Sequence, residues 1–132
     1  PPGTGDAQLT LAQQVSLDGA VIVTTPQDIA LLDATRAIKM FRQVHCPILG
    51  VVENMSYFVC PDCGERDEIF GYGGGERMAQ SEGTHLLARI PVYPEVREAG
   101  DAGMPIVIAK PAHPSSEAFM ELARRVVDAS AE

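Results

Sequence analysis

Basic residues are scarce in this 132-residue chain: 10 Lys and Arg stand against 18 Asp and Glu, for a formal net charge of -8 and a pI near 4.8. Binding to nucleic acid or to an anionic membrane surface draws on clustered Lys and Arg, so neither is expected as a partner. No apolar run approaches the roughly 20 residues that cross a bilayer, and no basic-then-apolar leader opens the chain. A soluble, cytoplasmic protein is expected. Cysteines number 3, too few and too unevenly placed for the disulfide framework of a secreted domain. His45, His85 and His113 are scattered, and no Ser-His-Asp set, paired catalytic carboxylates or histidine metal cluster emerges.

What is present is a chain with 45% hydrophobic residues, enough for one domain with a substantial core over 1–132. It opens on Pro1-Pro2-Gly3, with no Met and no strand before it, and reads as a piece of something longer. Gly19 to Thr25 is a Val/Ile-rich run of the kind buried on both faces of a parallel sheet. A helix is expected directly after it, with Thr25 as cap, Pro26 in the first position, Asp28 closing the capping box, and Ile29, Leu32, Ala37, Met40 and Phe41 at helical spacing. Ile48 to Glu53 is the next strand, so strand, helix and strand make a right-handed crossover unit. A less regular stretch, Asn54 to Gly75, precedes a short helix over 76–80. Leu86 to Pro91 reads as a third strand, and a final helix begins near Ser115 or Ser116 with Phe119, Leu122 and Val126 facing inward. The fold class is α/β, with a mostly parallel sheet flanked by helices.

Cys60-Pro-Asp-Cys63-Gly64 is the strongest local signal, because two thiolates three positions apart in a tight turn can face one metal. Zinc knuckle, iron-sulfur site, redox dithiol and plain turn all remain open on spacing alone, with zinc the commonest use. A structural zinc takes four ligands and a cubane cluster four thiolates, so this is half a site. Cys46, before Pro47, reads as a small buried hydrophobe. The shortage of ligands suggests two copies supplying two thiolates each. Pro2-Gly3-Thr4-Gly5-Asp6 leads into a helix over 7–15 and offers either backbone N–H groups to an anion or a plain turn capped by Asp6. Gly73-Gly74-Gly75 is expected to be a flexible joint, since Glu76 repels anions. Asn54 follows a strand at the carboxyl end, where doubly wound sheets place ligands, although Asn there is also a common turn former. Asp101 reads as a solvated loop carboxylate.

Taken together, PPGTGD, VIVTTPQDIALLDATRAI, ILGVVENMSYFVCPDCG, IFGYGGGERMA and REAGDAGMPIV, in this order and spacing, closely resemble the Mrp/ApbC family across nearly the whole chain. These are deviant-Walker P-loop ATPases, relatives of MinD, ParA and the nitrogenase iron protein, that act as carriers or scaffolds for iron-sulfur clusters. The resemblance implies that Cys60 and Cys63 ligate a [4Fe-4S] cluster bridging a homodimer, and that recipient apo iron-sulfur proteins accept it. It implies a switch-II-like role for Pro1 to Asp6, with Gly3 and Gly5 letting the backbone approach the nucleotide beside Asp6. Asn54 would hydrogen-bond adenine, with the loop after Pro91 beside the base. The family's ATP- and Mg2+-binding P-loop, with its lysines, is not in this chain, so the 132 residues alone are expected not to hydrolyse ATP. If the family's strand order holds, the strand over 19–25 is left as an open edge, with self-association or marginal stability as the consequence. Alternatives are a zinc-stapled structural or interaction module and a MinD/ParA-like positioning ATPase.

Overall fold

The computed structural model describes residues 5–131. The elements run α1 (Asp6–Gln14), β1 (Ala20–Thr24), α2 (Asp28–Gln43), β2 (Ile48–Glu53), β3 (Phe58–Val59), β4 (Arg66–Asp67), α3 (Gly74–Ser81), β5 (Leu86–Arg89), α4 (Pro94–Asp101), α5 (Ile106–Ala109) and α6 (Pro114–Ser130). β1, β2 and β5 form a parallel sheet in that order, with Ile22 beside Val51, and Glu53 beside both Thr24 and Arg89. This is the α/β architecture and parallel pairing that the apolar strands and intervening helices imply.

Two apolar layers hold the sheet. On one face Ala20, Ile22 and Val51 pack against Ala34, Ala37 and Ile38 of α2 and Met78 and Ala79 of α3. On the other, Val52, Leu87 and Ile90 meet Phe119, Leu122 and Val126 of α6, the three positions expected to face inward. α6 starts at Pro114, with His113 as N-cap accepting the Ser115 amide at 3.2 Å. α2 stops where His45 turns to φ 59 and the Cys46 amide reaches back to the Phe41 carbonyl at 2.9 Å, a left-handed closure that turns the chain into β2.

Four local expectations give way to packing. α2 begins at Asp28 with Gln27 as its N-cap, not at Pro26 with Thr25 as cap. Pro26 is buried, and its carbonyl lies so close to Gly74 that a Cβ there would fall 2.6 Å from it; contact with the start of α3 holds Pro26 outside the helix, while the Thr25 hydroxyl donates to Gln27 Oε1 at 3.2 Å. Ile29 and Leu32, spaced as core positions, stand exposed, because smaller residues, Ala34 and Ala37, let α2 approach the sheet on another face. Asp101 ends helix α4 and pairs with Arg97 at 2.9 Å. The cysteine stretch contains a short antiparallel pair, β3 with β4, where no strand was expected.

Among the described residues β1 pairs with β2 alone, and Val23 on it is 62% exposed. An open, apolar strand edge recruits other strands. With Cys60 and Cys63 both replaced by Ser, the chain is therefore expected to associate with rising concentration in sedimentation velocity, and Val23→Lys to suppress the association. A well-folded Ser variant that stays monomeric at every concentration would overturn this.

Candidate functional site

Glu53, the last residue of β2, is 1% exposed and carries a carboxylate into the protein. The Ser56 hydroxyl donates to Oε1 at 2.6 Å and the Gly75 amide to Oε2 at 2.6 Å. Arg89, beside Glu53 in the sheet, brings its Nε within 3.7 Å and pairs its terminal nitrogen with Glu76. A buried charge persists only when hydrogen-bonded and paired, and the start of α3 adds the favourable end of a helix dipole. The glycine run is accordingly a packed joint and not a loose one. Gly73 takes a left-handed φ of 66 as N-cap of α3, and Gly75 has no room for a side chain, since a Cβ would fall 2.9 Å from Glu53 Oε2.

Asn54 follows directly. Its amide donates to the Thr24 carbonyl at 2.7 Å, and its side-chain oxygen accepts the Met55 amide at 2.9 Å, which holds Met55 at φ 54. With its oxygen so engaged, the side chain retains its NH2 group as a donor for a ligand. Asn54 lines a cavity of about 460 Å³ that runs along β1 from Val21 to Thr24 and on to Thr25, against the apolar Ala30, Ala34, Ala37 and Phe41 of α2, with Asp33 of α2 and Gln8 of α1 also on its wall. Gly5 is the extended N-cap of α1 and Asp6 its exposed first residue, two positions before Gln8. From α1 Gln8 shares this cavity with Asn54, while Gly5 and Asp6 are not on its wall; Gly3 lies outside the described residues. The segment after Pro91 does not line this cavity. It runs along the cysteine loop, with the Val92 amide donating to the Tyr57 carbonyl at 2.7 Å and the Tyr93 ring edge-on to His113.

Cys60 and Cys63 sit at the tip of the β3–β4 hairpin. The Cys60 amide donates to the Glu65 carbonyl and the Gly64 amide to the Cys60 carbonyl, each at 2.9 Å, closing the turn. At the base, the Arg66 guanidinium lies 3.8 Å from the centre of the Tyr57 ring, and Ser56 ties the leading strand back to Ile90 and Glu53. Hydrogen bonds from the Cys63 and Asp62 backbone amides, and from the Cys63 side chain, lower the Cys60 thiol below its ordinary range. Amides aimed at sulfur stabilise a thiolate, which is what a metal or cluster requires of its ligand. Cys63 is exposed, and Cys46 is buried just ahead of β2, its thiol pushed up by desolvation. Among the described residues no group of three or more His, Cys, Asp or Glu is placed to hold a metal ion, so one chain offers two thiols here. No helix among these residues is long and apolar enough to cross a membrane.

Glu53, Ser56 and Arg89 are the residues that motif reading missed. A lone acid closing an apolar strand immediately before Asn54 is the one signal that pointed to them.

Comparison with known proteins bears on the same segments. Residues 1–127 match the family model ParA, described as NUBPL iron-transfer P-loop NTPase. An iron-sulfur cluster carrier protein of Haemophilus influenzae is 53% identical over 126 residues, covering 96% of this chain and 34% of the relative. A mitochondrial iron-sulfur protein required for NADH dehydrogenase in Arabidopsis thaliana is 52% identical over 127 residues, covering 96% and 41%. The chain thus spans less than half the length of these relatives. A solved nucleotide-binding protein in complex with ADP from Archaeoglobus fulgidus superposes with a TM-score of 0.73 at 39% identity, over 90% of this chain and 47% of that one.

Gly75→Ala is expected to destabilise the chain by about 1–3 kcal/mol, read from urea unfolding, because the new methyl meets a carboxylate whose other contacts are fixed. Unchanged stability would show that Glu53 has slack. In the metal-free native protein a thiol reagent near neutral pH should modify Cys60 and Cys63 and leave Cys46 untouched until denaturant is added, since a raised thiol pKa moves thiolate formation to higher pH; mass spectrometry of the peptides distinguishes the three.

Proposed function

The chain belongs to the ParA family of NUBPL-type iron-transfer P-loop NTPases, and we propose that it is the cluster-holding portion of an ATP-dependent iron-sulfur cluster carrier of the cytoplasm. Cys60 and Cys63 hold one half of a [4Fe-4S] cluster, a second copy of the chain holds the other half, and the cluster passes to recipient apoproteins. The observation that carries this reading is the hairpin tip: two thiols on a closed turn, Cys60 held low by backbone amides and Cys63 open to solvent. Four thiolates complete a cubane, and two hairpins supply them.

Exposure suits cargo that must leave. Transfer is an exchange of thiolates: the Fe–S bond to Cys63 breaks as one to a recipient cysteine forms, and the proton released by the incoming thiol is taken up by the departing thiolate or by water. Iron and sulfide keep their oxidation states through the exchange.

At the nucleotide end, the Asn54 NH2 group donates to the base and the segment Gly3, Gly5 and Asp6 approaches the phosphates. The only two lysines are Lys39 and Lys110, neither in a glycine-rich phosphate loop, so grip on the triphosphate and on Mg2+ falls to groups outside these 132 residues. Within the chain, Asn54 lies between Glu53 and Ser56, whose side chains are hydrogen-bonded to each other, and the hairpin follows Ser56. Zinc is the second reading, favoured by the same knuckle, and would make the hairpin a structural staple or interaction module. A MinD-like positioning role draws no support from a cysteine hairpin.

Anaerobic reconstitution with iron and sulfide should give a brown protein with broad absorbance near about 400 nm and about four irons per two chains, both lost in Cys63→Ser. Protein purified without air that carries zinc, and takes up neither iron nor sulfide, would replace the carrier by the zinc module.

A further inference from the structure

Cys60 and Cys63 are both free thiols. The Cys63 thiol and the Asp62 and Cys63 amides hydrogen-bond to the Cys60 sulfur, so the two side chains lie on the same side of the turn. The turn is closed by its own backbone, through the bonds from the Cys60 amide to Glu65 and from the Gly64 amide to Cys60. Cys63 is exposed, and such a side chain adjusts about its own bonds without displacing packed neighbours.

Among the described residues no third His, Cys, Asp or Glu is placed to join them around a metal ion. Zinc takes four ligands and a cubane four thiolates, so one chain holds each of these by half. Calcium and magnesium call for a shell of oxygen ligands, which the tip does not offer. Thiolates select soft cations, and Cu(I), soft and monovalent, is satisfied by two of them in a linear arrangement. One hairpin meets that ligand count without a second copy.

The charges around the tip favour a cation. Asp62, Glu65 and Asp67 are exposed along it, while the nearby base, Arg66, is engaged with Glu68 at 2.9 Å and with the Tyr57 ring at 3.8 Å. Exposed carboxylates with no free base among them draw cations and repel anionic reagents. Two empty thiolates carry two negative charges, whereas two thiolates with Cu(I) between them carry one. Binding therefore relieves repulsion from the neighbouring acids.

We propose that Cys60 and Cys63 of a single chain form a two-coordinate site for Cu(I), and that copper held there excludes the iron-sulfur cluster. On binding, the two S–H bonds give up their protons to solvent, two Cu–S bonds form, and copper stays monovalent throughout. A chain so occupied has no thiolate left to offer iron. The copper site stands on the ligand count of one chain, whereas the exclusion rests on the cluster-holding reading.

Anaerobic titration of the reduced 132-residue chain with Cu(I), delivered as its coloured bicinchoninate complex, should withdraw one copper per chain. X-ray absorption of the product should find two sulfur neighbours around each copper. Cys60→Ser and Cys63→Ser should each lose this uptake, and Cys46→Ser should keep it. One copper per two chains, three or more sulfurs around each copper, or uptake that survives Cys63→Ser would overturn the site. Iron and sulfide offered to the copper-loaded chain should not be retained; retention of both with copper still bound would overturn the exclusion. A copper-free chain that takes up neither iron nor sulfide would overturn the cluster reading and the exclusion with it, while the copper site is still decided by stoichiometry and sulfur count. Those two measurements are made on the parent chain, so a misfolded variant leaves the result intact.

Discussion

The Glu53 carboxylate ends a parallel strand inside the protein, and three otherwise separate elements converge on it. The Gly75 amide brings the first turn of α3, the Ser56 hydroxyl the chain leading to the cysteine hairpin, and the Arg89 guanidinium the end of β5. The cost of leaving a buried carboxylate unpaired is what keeps them there. Because Gly75 sits too close for any side chain, α3 can begin only at this distance from β2. Arg89 reaches a second acid, Glu76, so the ion pair extends to the surface of the same helix.

From this anchor the chain leaves in two directions of different character. Toward β1 a recessed cavity has a mainly apolar wall, Val21 to Val23 with Ala30, Ala34, Ala37 and Phe41, and a polar rim of Thr24, Thr25, Asp33 and Asn54. Along the hairpin the two thiols are held on a turn whose hydrogen bonds are all local, with Cys63 open to solvent. The leading strand of the hairpin is strapped to the segment after β5 by Ser56, Tyr57 and Val92, so the tip is presented by a base that shares Glu53 with the cavity side.

The sheet strands and α6 were legible because their apolar residues repeat with the right period and pack on long, continuous faces; Phe119, Leu122 and Val126 face the sheet as their spacing implies. The α2 stripe was half legible. Periodicity identified the helix, but Ile29 and Leu32 share the spacing of core residues without being core, because Ala34 and Ala37 set how closely the helix approaches the sheet. The β3–β4 pair was not legible, since two-residue strands carry no period and exist only through pairing across the turn. Gly73 to Gly75 looked loose because glycine is the same letter whether it provides freedom or close contact.

By itself the sequence determined the class of fold, through its alternation of apolar strands with amphipathic helices, and singled out Cys60 and Cys63, through their three-residue spacing in a turn. Both are local properties, carried by neighbours in the chain. Only the tertiary structure decided the partners of Glu53, the packing of the glycine run and which apolar residues remain in water. Those outcomes depend on contacts between distant positions, such as the bond from Gly75 to Glu53 across 22 residues, and the identity of either residue alone does not specify them.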